Sequence, residues 1–299
     1  MSENIDPNEI TLFAGLSGVD YAGNPVELSN GIRVSSTYAH LFSPRLVAFD
    51  KPESSGDPHP GPWEAAKGGQ GYDIHVEVEV PESIKVGPFD HLNSVWWFAA
   101  LLRLKGNTSV QVPAVSSRPF NEIPGLNERP SIWPIEESDT RVAYNPAENP
   151  EITSEDLEWI ETHWKHAAEL AAVEDFRTAL EALDGSMRIA DPNLALVMLW
   201  GGLERIFPPQ RAGGFRRSAY LAAYLRPPGQ KRLELQKEIK DLYGTRSHAA
   251  HGGRPDDYVP TARAHEILRK VLVKVVEEGE IPSRDRLEEN LFVARDSQR

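Results

Sequence analysis

Cysteine is absent from all 299 residues, which excludes disulfides and thiolate metal sites. Long apolar runs are absent as well, and nothing approaches the roughly 20 residues that span a bilayer. The opening residues, Met1 to Asp6, are polar and acidic, so no secretory signal is expected there. Neither a Walker-type nor a dinucleotide glycine pattern occurs, and Gly68-Gly69-Gln70-Gly71 reads as a loop. These absences lead us to expect a cytoplasmic protein with no membrane partner, no cofactor and no metal. Positive charge is also short overall. The net charge of −13 argues against a general nucleic-acid coat protein.

What is present divides near residue 150. The segment Tyr72 to Val80 alternates apolar and polar residues without a break, which predicts a half-buried strand with Tyr72, Ile74, Val76, Val78 and Val80 inward. Shorter strands are expected at Ile10 to Leu16, Ile32 to Ser36, Leu46 to Phe49 and Ser109 to Val112. Pro52 to Gly71 is rich in Pro, Gly and Ser and reads as a long loop. Asp90 can cap a helix from about His91 to Leu104, with Gly106-Asn107 as its stop, and Trp96 and Trp97 in that helix read as core aromatics. Six prolines between 113 and 146 suggest an extended connection and then a linker at 145–150.

Beyond residue 151 the pattern turns helical. Helices are expected from Thr153/Ser154 to Leu183, from Asn193 to Phe207 behind Asp191-Pro192, from Phe215 to Leu225, from Lys231 to Ala250, and from Thr261 to Glu278. The residues after Arg284 read as a short exposed helix or a disordered tail. The expectation is an α+β protein of two domains. Residues 1–150 would form a β-rich sandwich or barrel with one helix. Residues 151–299 would form an all-α bundle of five helices.

Charge is unevenly shared. Residues 205–232 hold Arg205, Arg211, Arg216, Arg217, Arg226, Lys231 and Arg232 and no acid. Such a stretch can bind a polyanion, or can be a helix face balanced by acids elsewhere in the fold.

One motif carries chemistry. In Leu242-Tyr243-Gly244-Thr245-Arg246-Ser247-His248-Ala249-Ala250-His251-Gly252-Gly253, an Arg is followed five positions later by a His and two glycines. Arg offers a fork of donors to phosphate. His moves protons near neutral pH. Metal-free RNA cleavage needs a base for the 2′-OH, an acid for the leaving 5′-oxygen, and positive charge on the phosphorane. On an unbroken helix five positions turn by about 500°, which sets the two side chains about 140° apart. A site shared by two subunits removes that mismatch. The structural alternative is an Arg246 paired with Glu204 or Asp241 and a His251 that only caps the helix.

Residues 154 to about 285 resemble the HEPN superfamily, and within it the ApeA-like HEPN domains. Three stretches carry the resemblance: the apolar helix Leu194 to Phe207 with Leu203-Glu204-Arg205-Ile206-Phe207 at its end, the Leu242-Tyr243-x-x-Arg246-Ser247-x-x-x-His251-Gly252 motif, and the amphipathic helix Ala264 to Leu272. The resemblance implies a metal-independent endoribonuclease used in prokaryotic antiviral defence or stress response, with an Arg/His site formed by a homodimer. Arg246 and His251 would be catalytic. Glu204, Tyr243, Ser247 and His248 would support them, and the basic residues from Arg205 to Arg232 would guide RNA. Ser247 departs from the Asn, Asp or His frequent at that position in members that cleave RNA. Other members are non-catalytic dimerisation or ligand-binding modules, and that is the alternative, with the β-rich half recognising an unknown ligand.

Several residues also have plainer readings. Glu204 can orient Arg246 or simply end its helix. Tyr243 can stack on a base or sit in the core. His248 can transfer protons or stand by, exposed. Trp200 reads as core. His163, His166 and Glu169 drift around their helix and suggest no complete metal site.

Overall fold

The computed structural model describes residues 6–43, 46–55, 57–66, 70–106, 108–136, 142, 144, 150–207, 213–250 and 258–292. Among these the chain is a mixed α/β protein with one main antiparallel sheet, a separate two-stranded ribbon and eight α-helices. No helix among the described residues is long and apolar enough to cross a membrane.

The strands are β1 (Leu12–Ser17), β2 (Val26–Glu27), β3 (Arg33–Ser43), β4 (Leu46–Ala48), β5 (Trp63–Ala65), β6 (Gln70–Val80), β7 (Gln111–Ser116) and β8 (Ile132–Pro134). Six of them form one open sheet in the order β2-β3-β6-β1-β7-β8, and β4 pairs only with β5. The expected sandwich or barrel is therefore corrected to a single open sheet whose covering layer is helical. The strand inferred from alternation is β6, and all five of its inward residues are buried. Gln70 and Gly71, read as loop, open that strand, and β5 interrupts the rest of the expected loop. Ile132-Trp133-Pro134 adds β8 at the sheet edge, where a missing proline N–H costs no ladder bond.

Helix α1 (His91–Lys105) lies against β1 and β7. Its ends are local: the Asp90 carboxylate accepts from the Asn93 N–H at 2.9 Å, and Gly106 ends it at φ 155°. Eleven of its residues are buried, because sheet and helices enclose it from different sides.

The remaining helices are α2 (Ser154–Leu170), α3 (Glu174–Ser186), α4 (Pro192–Ile206), α5 (Gly213–Leu225), α6 (Gln230–Ala250), α7 (Val259–Glu278) and α8 (Arg284–Phe292). Thr153 and Asp156 form a capping box at the start of α2. Asp191 and Pro192 start α4 as their types suggest. The expected helix from residue 154 to Leu183 is two helices, corrected by a break at Ala171–Val173. No Gly or Pro marks that break. Gly87 packs on it with φ +53°, and a Cβ there would come within 3.1 Å of the Ala171 carbonyl carbon. The acidic pair Glu174-Asp175, suited to a first helical turn, was the available sign of a new start. Seven helices, rather than five, thus follow residue 151 among the described residues.

Strands give way to helices at residue 150, but most buried apolar residues form one cluster running from Leu12 to Leu287, with Ile74, Ala114 and Phe120 in a second, small one. Polar groups bind the two halves as well. Arg103 of α1 is 3% exposed; it donates to the Val110 carbonyl at 2.7 Å, to Glu136 at 2.5 Å and to Asp184 of α3 at 3.0 Å. Arg188 donates to the same two carboxylates, at 2.8 and 3.1 Å. Glu136 also accepts from the Trp96 indole and the Val112 N–H. Nearby, Arg269 of α7 donates to the Leu104 and Lys105 carbonyls, the otherwise orphaned end of α1, both at 2.9 Å.

Replacing Arg103 with Leu removes the most buried cation from two buried carboxylates and should cost about 3–5 kcal/mol in urea unfolding. Arg188→Ala, whose side chain is 44% exposed, should cost about 1 kcal/mol. Equal small losses would contradict the assignment. Burial works against ionisation of Glu266, but hydrogen bonds from Arg269 and Lys270 outweigh it and hold its carboxyl at about 2 instead of the usual 4.5. This carboxylate therefore adds stability above pH 4.5 that drains away as pH falls toward 2. Glu266→Gln should flatten that part of the stability–pH curve, measured by urea midpoints.

Candidate functional site

The expected site residues meet where α4, α5 and α6 cross. Arg246 stands just before the last turn of α6 with its side chain 26% exposed. Its nearest carboxylate is Glu204, with Nη2 4.0 Å from Oε2, at the outer limit of an ion pair. Its Nε is buried and has no hydrogen-bond partner among the described residues. Asp241, the other partner considered, is exposed one turn earlier on α6. Glu204 is held more closely by Arg217 of α5, whose Nη1 donates to Oε1 at 2.7 Å. The carboxylate expected to orient Arg246 therefore serves Arg217 first and Arg246 at longer range.

Tyr243 lies one turn before Arg246 and is half-buried. Its ring meets Trp200 of α4 at 5.6 Å, and the Arg217 guanidinium sits over it at 5.5 Å. The core reading of Tyr243 is the one these contacts favour. Trp200, read only as core, is the floor of the site, and its indole nitrogen is buried without a partner among the described residues. Ser247 is half-buried beside Arg246, and His248 is exposed. His251 lies outside the described residues, as do Gly252, Gly253 and Arg211.

The basic stretch is largely engaged. Arg205 reaches Glu174 at 2.9 Å and Asp175 at 2.7 Å. Arg216 reaches Glu288 of α8 at 2.7 Å. Arg232 donates to the Arg226 and Asn290 carbonyls at 2.8 and 3.0 Å. Arg226 and Lys231 are exposed. The charge balance seen in sequence thus closes through acids outside the stretch. Their contribution was invisible there because it depends on how α3, α4, α5 and α8 cross.

No family model matches the sequence, no curated protein matches it, and no solved structure matches the fold. The site must therefore be argued from its own groups. Among the described residues no cluster of three or more His, Cys, Asp or Glu could hold a metal ion. His163 instead donates from Nδ1 to the Trp159 carbonyl at 2.8 Å. What Arg246 offers is a guanidinium whose Nε has no partner among the described residues, near the end of α6, on an aromatic and charged floor.

A double-mutant cycle tests this hierarchy. Coupling between Glu204 and Arg217 should be on the order of 1 kcal/mol in unfolding free energy, and coupling between Glu204 and Arg246 below about 0.5 kcal/mol. The reverse order would show that Glu204 serves chiefly to hold Arg246.

Proposed function

We propose that the chain is a metal-independent endoribonuclease of the HEPN type, active as a homodimer in prokaryotic antiviral defence or a related stress response. The observation that carries the reading is the state of Arg246. It is partly exposed, its nearest carboxylate is at 4.0 Å, and its Nε has no partner among the described residues. Such a guanidinium has donors left for a phosphate.

The chemistry follows from the groups. The 2′-oxygen attacks the adjacent phosphorus as its proton passes to a base. The bond from phosphorus to the 5′-oxygen breaks, and that oxygen takes a proton from an acid. The products are a 2′,3′-cyclic phosphate and a 5′-hydroxyl. Arg246 holds the non-bridging oxygens while negative charge builds there. His251, following the end of α6, supplies base or acid, and the second subunit supplies the other. Arg226 and Lys231, exposed on the same bundle, draw the RNA backbone in.

A non-catalytic dimerisation or ligand-binding module is the second reading. It is favoured by the pairing of Arg205, Arg216 and Arg217 with carboxylates, which leaves less open positive surface than the sequence suggests.

The two readings separate on one experiment. The purified protein is incubated with a mixed RNA pool in the presence of a chelator, beside Arg246→Ala and His251→Ala. Cleavage leaving 2′,3′-cyclic ends, lost in both variants while their urea midpoints hold, supports the nuclease. Intact RNA with the wild-type dimer, or cleavage that persists in either variant, overturns it.

A further inference from the structure

A cavity of about 210 Å³ opens between α3, α4, α5 and α8; no residue of α6 lines it, and Arg217 is the residue it shares with the surroundings of Arg246. Its walls combine two kinds of group that a solvated surface rarely brings together. Four arginines line it, Arg205, Arg216, Arg217 and Arg284, with a single acidic residue, Asp175. Between them the surface is apolar, formed by Phe207, Ile281, Leu287 and their neighbours. Asp175 pairs with Arg205 at 2.7 Å, and the other acids that pair with these arginines, Glu174, Glu204 and Glu288, are not wall residues.

One carboxylate cannot satisfy a guanidinium, which carries five N–H donors. Arg217 is the deepest of the four, 10% exposed, and spends Nη1 on Glu204. Its Nε is buried with no partner among the described residues, and the same is true of Arg205 Nε. Buried donors without partners are rare in folded proteins and call for a water, an ion or a ligand. Two of them belong to residues that line one small cavity with an apolar wall.

We infer that this cavity is a binding site for a small organic anion, a phosphate monoester or carboxylate carried on a compact apolar body. The charged group satisfies the guanidinium donors, and the apolar body covers Phe207, Ile281 and Leu287. The cavity is smaller than the roughly 300–1,000 Å³ typical of drug-sized ligands, so it accepts one anionic group and a single ring or short chain, not a strand of nucleic acid. The inference does not depend on RNA cleavage.

The test is calorimetric titration of the full chain with phenyl phosphate and with phenylacetate. Inorganic phosphate and the neutral phenylacetamide serve as controls. At least one of the two organic anions should bind one per chain with millimolar or tighter affinity, at least ten-fold more tightly than either control. Arg284 is 62% exposed, so Arg284→Gln is expected to fold, and it should weaken binding about five-fold or more. Ile281→Trp fills the cavity from a connecting segment and should abolish binding, while Lys165→Gln, exposed on α2 and outside the walls, should leave it unchanged. Circular dichroism and urea midpoints establish that each variant is folded. Binding of neither anion overturns the proposal. So does inorganic phosphate binding as tightly as phenyl phosphate, or affinity unchanged in both Arg284→Gln and Ile281→Trp.

Discussion

The molecule turns on one buried cation. Arg103 brings a full charge into the seam between sheet and helices, where an unpaired ion would cost several kcal/mol. It is tolerable because Glu136 comes from the end of the sheet half and Asp184 from α3, and both are turned onto it. Arg188 balances the second negative charge, so the quartet is neutral. The geometry is demanding. Among the described residues Glu136 accepts four hydrogen bonds, and the one from Arg188, like the Arg103–Asp184 pair, is lost if the sheet half slides against α3. Hydrophobic burial alone would let these layers repack with small shifts. The quartet selects one arrangement, and the crossing of α4, α5 and α6 beneath Arg246 rests on that frame.

Features governed by neighbours in the chain were legible. The alternation of β6 was clear because Tyr72, Ile74, Val76, Val78 and Val80 are all buried. Both ends of α1 were clear because Asp90 and Gly106 act within a turn of themselves. Features governed by distant partners were not. The break at Ala171–Val173 follows from a loop pressing on it, and alanines carry no trace of that. Strands β5 and β8 are short edge or ribbon pieces whose existence depends on partners elsewhere in the chain.

The candidate site divides along the same line. Arg246, Glu204 and Tyr243 were recognisable as types at suggestive positions, and the fold does bring them within reach of one another. Their ranking was hidden. Arg217 takes the closer place at Glu204 only because α5 crosses α4 at that level. The run of seven basic residues was an accurate statement of charge and an incomplete one of electrostatics, since Glu174, Asp175 and Glu288 lie outside it in sequence and against it in space. Half-neutralised guanidiniums are more selective than bare ones: they hold an anion only where geometry lets it add to, or displace, an existing partner.

The Arg269 clamp has a consequence for how the chain is made. The carbonyls that close α1 belong to Leu104 and Lys105, while the side chain that satisfies them arrives about 165 residues later. On a ribosome the sheet and α1 emerge first. For most of synthesis they present a helix end that only water can satisfy. The first half is therefore finished by nearly the last helix of the described chain, and completion of α7 is the event that seals it.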